Sequence, residues 1–473
     1  MLGQFIKCHR YNKCGASTLM LGLFKGSKGY GDLVLRLRKA IESGNLSAGV
    51  RLPSQRRLAY DLGIAVGTVT HAYRVAEREG LIASYVGRGS FVAFRTLTPI
   101  RKRHEKDSDA DIDLSIDEPL ETLNPSMSEV MRAIASDRSA DSLMEYHNPL
   151  WKARHREAGA DWIRKFGYAI SSSENVVVCA GAQHAIMCSL AAICRPGDVV
   201  MAEELSYPGF RAAVEMLGIR IEPLKVDAHG IVPSAVEHLC AKSPPKALYV
   251  TSSCQNPTNC QLNATRRAHL GRLAEKYDFA IIEDELRPRS VLPAPQPIAA
   301  HAPDHTFFIA GVSKTLGGGL RVGFLVVPKR WRNAFTTSVW ASIYAPSPIT
   351  AEIVTRLIAD GTADRTALIK EKEAKRRRSI AEDALGHWDL RTRAGSTTAW
   401  LSLPKPWRVS EAVLNIRQHG ISVAPSDAFW NARTPPPDAI RLSLGSPRSI
   451  EPLKVALDQI AAILSSPPQL VRL

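Results

Sequence analysis

The sequence predicts an α/β protein in two parts. A small head of helices and a hairpin precedes a large body with a mainly parallel sheet and a smaller α+β subdomain at its C-terminal end. Three observations carry this reading. The 473 residues exceed one ordinary core. The net charge of +15 is unevenly placed: residues 1–106 hold 19 Lys+Arg against 6 Asp+Glu, and the remainder carries only +2. Beyond the basic stretch, short apolar strands alternate with helical segments. A basic head on a near-neutral body suggests a nucleic-acid module joined to something else.

Composition excludes several classes. Apolar residues make up 45%, enough for a globular chain, and no apolar run approaches the ~20 residues that span a bilayer. No membrane association is expected, and the localisation expected is cytoplasmic. The eight cysteines, at 8, 14, 179, 188, 194, 240, 254 and 260, form no CxxC pair. They read as free or buried thiols in a reducing compartment, and no metal site is expected. Residues 1–28 are expected to be a poorly ordered extension, within which Met20 is a candidate start.

The head, residues 29–94, reads element by element. "YGDLVLRLRKAIESGNL" (30–46) places Leu33, Leu37, Ala40 and Ile41 at helical spacing, with Gly44 as a stop. "RLPSQRRLAYDLG" gives Ser54 as N-cap, a short helix with Leu58, Ala59 and Leu62 inward, and Gly63 as its end. In "IAVGTVTHAYRVAEREGLI" Val69, Ala72, Tyr73 and Ala76 share one face, while Thr68, Thr70, His71 and Arg74 fall largely elsewhere. "LIASYVGRGSFVAF" alternates across a tight turn and predicts a hairpin. Three helices and a hairpin make a winged helix-turn-helix. Such a third helix fits the major groove, so Thr68, Thr70, His71 and Arg74 are candidate DNA contacts, and Ser54 at the start of the second helix is a further one. Arg51, Arg56 and Arg88 are candidates for phosphates, and Gly89 lets the wing approach the backbone. "RTLTPIRKRHEKDSDADID" (95–113) is polar and aperiodic and reads as a linker.

The body divides at about residue 364. From 114 onward the strands "NVVVCAG", "DVVMAEE", "ALYV", "FAIIEDE" and "TFFIAG" are separated by helices such as "AQHAIMCSLAAIC" and "ATRRAHLGRLAEKY". That alternation predicts a mainly parallel sheet with ligands at the C-terminal strand edges. From 365 to 473 a long basic helix, "TTAWLSL", "ISVAPSDAF", "AIRLSLG" and a closing helix predict the smaller subdomain.

Strand-edge loops supply the candidate chemistry. Gly181, Ala182 and Gln183 lie between a strand and a helix start, where backbone amides suit an anion. Asn256 ends one strand, Asp284 another, and Lys314 follows a third with Ser313 beside it and Arg321 seven residues on. Singly these are a turn, a helix cap and a solvated lysine. Together they answer one ligand. Pyridoxal 5′-phosphate (PLP) needs an amine for its aldehyde, a carboxylate for its ring nitrogen, a donor for its phenolic oxygen and an anion pocket. Lys314 would form the Schiff base, Asp284 would hold the pyridinium proton, and Asn256 would meet the phenolic oxygen. Ser313, Arg321 and the 181–183 amides would hold the phosphate, and Tyr207 in "ELSYPGF" would flank the ring.

These motifs carry two resemblances. "RLPSQRRLAYDLG…GTVTHAY…EREGLI…GRGSFV" resembles the GntR-type winged-helix domain of bacterial regulators. The order and spacing of the body's residues resemble the PLP-dependent aminotransferase fold of type I over residues 112–465. In that fold an arginine near the end binds the substrate carboxylate, and Arg441 matches it. The combination looks like the MocR-type family of transcriptional regulators. That resemblance implies PLP as co-effector, an amine or amino acid as signal, operator DNA as partner, and a head-to-tail homodimer with each head over its partner's body. The chain departs from the family's pattern at four places. Ala65 stands where a capping Ser or Thr is usual, Leu286 where a tyrosine is, Gly311 where a hydroxyl residue is, and "EYHNPLW" where "YGDP" is. An active aminotransferase with a DNA-binding head and a regulator whose body binds no PLP both stay open at this level.

Overall fold

Helices Tyr30–Glu42, Gln55–Leu62 and Val66–Arg78 lead into the hairpin of β1 (Ile82–Tyr85) and β2 (Gly89–Val92). The computed structural model describes residues 24, 26–27, 29–42, 46, 50–79, 81–85, 89–92, 112–138, 140–145, 153–288, 290–432 and 434–467. In the head, Leu33, Leu37, Ala40, Leu58, Ala59, Val69, Ala72, Tyr73 and Ala76 meet in one core, as the helical spacing requires. Phe24 corrects the expected boundary: it belongs to the segment read as a poorly ordered extension, yet is 1% exposed inside this core. Its burial is a tertiary fact, since nothing in "LGLF" has a period. Ser54 caps the second helix, accepting from the Arg57 amide at 3.3 Å, and Gly63 ends it with φ +66°. The third helix starts at Ala65 with no side-chain cap. The wing is three strands wide at its base: Leu52 N–H donates to Ser90 O and Val92 N–H to Val50 O.

Beyond the head, β3 (Ile112–Leu114) comes first. Then β4 (Val176–Cys179), β5 (Val199–Glu203), β6 (Arg220–Leu224), the ribbon β7 (Val226–Asp227) and β8 (Gly230–Ile231), β9 (Ala247–Val250), β10 (Ala280–Glu285), β11 (Thr306–Gly311) and β12 (Gly323–Val326) follow. Seven of these form one sheet in the order β4-β12-β11-β10-β9-β5-β6. Only β12 runs against its neighbours. Both faces are covered, so the strands read as continuous apolar runs and alternate residues enter opposite layers. Val176, Val178, Phe308 and Ala310 pack into one layer; Val177, Cys179, Phe307 and Ile309 pack into the other.

The smaller sheet holds β13 (Leu390–Arg391), β14 (Thr398–Ser402), β15 (Ile421–Pro425) and β16 (Ala439–Ser443), in the order β13-β14-β16-β15-β3. Two expected boundaries shift here. Ile112 and Asp113, expected at the end of the linker, pair in parallel with Ile421 and Ser422. The chain thus reaches the body through the small subdomain, and Leu114 lies in that subdomain's core. The long helix spans Thr362–Leu385, so it begins before residue 365 and bridges the two parts of the body. Among the described residues, no helix is long and apolar enough to cross a membrane.

Candidate functional site

The head presents fewer groups than its helical wheel suggests. Arg51, Arg56 and Arg74 are exposed. Thr70 and His71 are half-buried, and both make contacts inside the head. The Thr70 hydroxyl has its one hydrogen within reach of two acceptors in the head, Val66 O at 2.9 Å and Gln55 Oε1 at 2.8 Å. The His71 ring sits edge-on to Tyr30, centroids 4.3 Å apart. Gln55 and Tyr30 belong to neighbouring helices, which the wheel of one helix does not show. Thr68 is half-buried at the start of the third helix. Gly89 has φ +101°, and a Cβ there would meet Arg51 Nε at 3.2 Å, so the glycine lets this guanidinium lie across the wing. Arg88 and residues 146–151 of "EYHNPLW" lie outside the described residues.

In the body, the turns after β4, β5, β9, β10 and β11 all open at the C-terminal edge of the large sheet. Four of these turns carry Gly181, Tyr207, Asn256 and Lys314, and Asp284 is the penultimate residue of β10 itself. Gly181 has φ +87° and starts the helix Ala182–Ile193 without a side-chain cap. A Cβ on it would lie 2.7 Å from the Arg321 guanidinium, which also reaches Ala180 O at 3.5 Å. Gln183 Nε2 donates to Gly209 O at 2.7 Å and ties this turn to the Tyr207 turn. Tyr207 itself precedes Pro208 at the first position of the next helix. Burial and the Asp284 charge both raise its pKa.

Asp284 is the sharpest feature. It is 3% exposed, and one carboxylate oxygen accepts from the Tyr249 hydroxyl at 2.9 Å. The other oxygen, Oδ1, is buried without a partner. Burial pushes its pKa up to about 6, against the pull of the Tyr249 hydrogen bond and the Lys314 charge. Tyr249 is held in turn by stacking on Phe210, centroids 4.1 Å apart and planes 9° apart. Arg441 on β16 is 6% exposed and gives one nitrogen to Asn256 Oδ1 at 3.0 Å and another to Ser115 O at 2.6 Å. Its Nε has no partner. Ser313 and Lys314 open the four-residue helix Ser313–Leu316, both half-buried.

The structure also adds residues that motif reading missed. Asp117 pairs with Lys314, Oδ2 to Nζ 2.5 Å. Thr397 Oγ1 donates to Asp117 Oδ1 at 3.1 Å, and Arg287 donates to Thr397 at 2.7 Å. Burial alone would raise the Asp117 pKa, but Lys314, Arg287 and Arg441 together hold it well below the ordinary range. Lys370, from the long helix, is pushed down to about 8 by burial and by Arg287. The acid in "SIDEP" has no motif around it, and Lys314 lies 197 residues on, so only folding reveals the pair.

Two of the departures from the family's pattern resolve into one. A Cβ at Gly311 would lie 3.2 Å from Leu286 Cδ2. The missing hydroxyl side chain at 311 is the space into which Leu286 packs. Trp162 Nε1 donates to Gly311 O at 3.2 Å and closes the other side.

These residues fit PLP: an unpartnered buried carboxylate oxygen for a ring N–H, a lysine amine, and a glycine turn under a guanidinium for an anion. The strand order and the lysine after β11 are those of the PLP-dependent fold of type I, here with a winged helix ahead of it. The chain belongs to the aminotransferase class I and II family, which matches residues 110–458. Residues 30–92 match the gntR family of bacterial regulatory proteins. Among curated proteins, the chain is similar to the HTH-type transcriptional regulator YdeF of Bacillus subtilis (strain 168), 26% identical over 90% of this chain and 92% of that one. It is similar to the HTH-type pyridoxine biosynthesis transcriptional regulator PdxR of Corynebacterium glutamicum, 28% identical over 84% of this chain and 88% of that one. It is also similar to the probable rhizopine catabolism regulatory protein MocR of Rhizobium meliloti, 27% identical over 70% of this chain and 71% of that one. Among solved structures, the body shares its fold with the kynurenine aminotransferase of Pyrococcus horikoshii. There the TM-score is 0.69 at 19% identity, over 76% of this chain and 91% of that one.

Proposed function

We propose that the protein is a DNA-binding transcriptional regulator whose aminotransferase-like body senses an amine or amino acid through PLP. The observation that carries this is the joining, in one chain, of the Lys314–Asp284–Arg441 site to a GntR-type head with exposed arginines. When bound, PLP supplies an aldehyde for a primary amine and an electron-withdrawing ring. The chain's residues then divide the work. Lys314 anchors through its amine. Asp284 Oδ1 accepts the ring N–H that it otherwise lacks. Asn256, with its oxygen committed to Arg441, keeps Nδ2 as the donor for the phenolic oxygen. The 181–183 turn, Ser313 and Arg321 hold the phosphate, and Tyr207 flanks the ring. Arg441, with Nε still to be satisfied, takes an effector carboxylate. Arg51, Arg56 and Arg74 face DNA, and a homodimer sets the spacing of two heads on a two-fold site.

Titrating the purified protein with PLP should produce a visible absorbance band. Borohydride followed by peptide mapping should place the label on Lys314, and Lys314→Ala should abolish both band and label. Label on a different lysine would sink the assignment. Operator binding should respond to some members of a panel of amines and amino acids. Steady turnover of an amino donor with a keto acid, without any such response, would make the protein an aminotransferase instead.

A further inference from the structure

Three consecutive carbonyls just after β3 are each held by a side chain. Ser115 O accepts from Arg441 at 2.6 Å, Ile116 O from Ser446 Oγ at 2.5 Å, and Asp117 O from Lys314 Nζ at 2.5 Å. Two of the three donors are the cations assigned to cofactor and effector. Asp117 is held twice over, since its carboxylate also pairs with Nζ at 2.5 Å. Thr397, just before β14, and Arg287, just after β10, brace that carboxylate from the other side.

The chemistry of Nζ makes these contacts conditional. An ammonium has three hydrogens and can serve both Asp117 oxygens. When the amine condenses with an aldehyde, its lone pair forms the C–N bond and the carbonyl oxygen leaves as water with two of the hydrogens. The resulting C=N nitrogen carries one hydrogen at most. The two Asp117 contacts therefore cannot both survive. Before that step the nitrogen must also shed its extra proton, and the charges around it disagree. Burial, Arg287 and Arg441 favour the neutral amine, whereas Asp117 favours the ammonium. Lys370 opposes the lysine charge, Asp284 supports it, and Tyr207 lies within reach of both Asp284 and Asp117.

We propose that Asp117 is the positioning residue of the reactive lysine: it holds Nζ by two contacts and yields at least one when the amine condenses, which loosens residues 115–117 and the adjoining strand β3. This rests on the reading of Lys314 as the cofactor anchor. Its consequence is that the first segment of the body, next in the chain after the head and linker, senses the state of the lysine directly.

The test uses the full chain and PLP. In Asp117→Asn the pH midpoint for appearance of the PLP band should fall by about one unit, so that condensation below the midpoint runs roughly tenfold faster. Asp117→Glu, which keeps the charge, should stay near the parent midpoint. Hydrogen exchange over residues 112–118 should rise in the parent when PLP is fixed by borohydride. In Asp117→Asn it should be raised already, with little further change. An unchanged midpoint in Asp117→Asn, with the label still on Lys314, overturns the proposal and leaves the anchor standing. If Asp117→Asn does not fold, the parent decides: unaltered exchange at 112–118 on fixing PLP overturns it equally. No band in the parent would instead remove the anchor, and this proposal with it.

Discussion

The head and the body use cations in opposite ways. Arg51, Arg56 and Arg74 stand exposed in water. Lys314, Lys370 and Arg441 sit largely out of water, each tied to an oxygen of another segment. Exposed charges act nearly independently, and salt screens them within about 10 Å at 0.1 M. Buried ones act as a set, because removing one leaves its partners unsatisfied where water does not reach. The head is thus suited to a polyanion read in graded, additive steps. The body is suited to a ligand whose arrival changes several bonds together.

Four substitutions test that contrast, taken in order of declining effect. Arg441→Ala should erase the response of operator affinity to effector while leaving basal DNA binding in place, and PLP uptake should persist with its pH midpoint raised, since Lys314 loses a charge that favours its neutral form. Coupling of this kind is typically 5–150-fold and reciprocal, so effector titrations with and without operator should agree on its size in the parent. A variant that still responds would move the carboxylate contact to another residue.

Glu203→Gln examines a buried acid away from the DNA. Burial pushes the Glu203 pKa up to about 8 from an ordinary 4.5. The folded state therefore prefers the protonated form, and stability is lost as pH rises from the unfolded value through the folded one. The parent should lose on the order of 2 kcal/mol between pH 6 and pH 8, and the variant, which cannot ionise, much less. Denaturant titrations at the two pH values measure this; parallel losses would mean that Glu203 ionises freely.

Arg74→Ala should cost about 1–3 kcal/mol of discrimination between operator and random duplex. Equal losses on both duplexes would make Arg74 a phosphate contact. Arg51→Ala should weaken both duplexes alike and reduce the dependence of log K on log salt by about one. An unchanged salt slope would place Arg51 off the DNA.

Much of the site was legible before folding because the parallel α/β sheet has a local grammar. Apolar strands end in turns at one edge, so Gly181, Asn256, Asp284 and Lys314 announce themselves by position. The same holds for the head, where caps and helical period mark Ser54, Gly63 and the buried face of the third helix. The contacts that Thr70 and His71 make are not legible in the sequence, because a helical wheel knows one helix, and Gln55 and Tyr30 come from two others.

The order of elements and the chemistry at each strand edge are written in the chain, since both depend on residues close along it. What tertiary structure alone decided is which distant groups share one buried volume. Leu286 fills the space beside Gly311, β3 crosses into the small sheet, and Asp117 meets Lys314 across 197 residues. The reason is physical: a strand or a cap is paid for by neighbours in sequence, whereas a buried charge takes its partner from whatever the closed fold brings within reach.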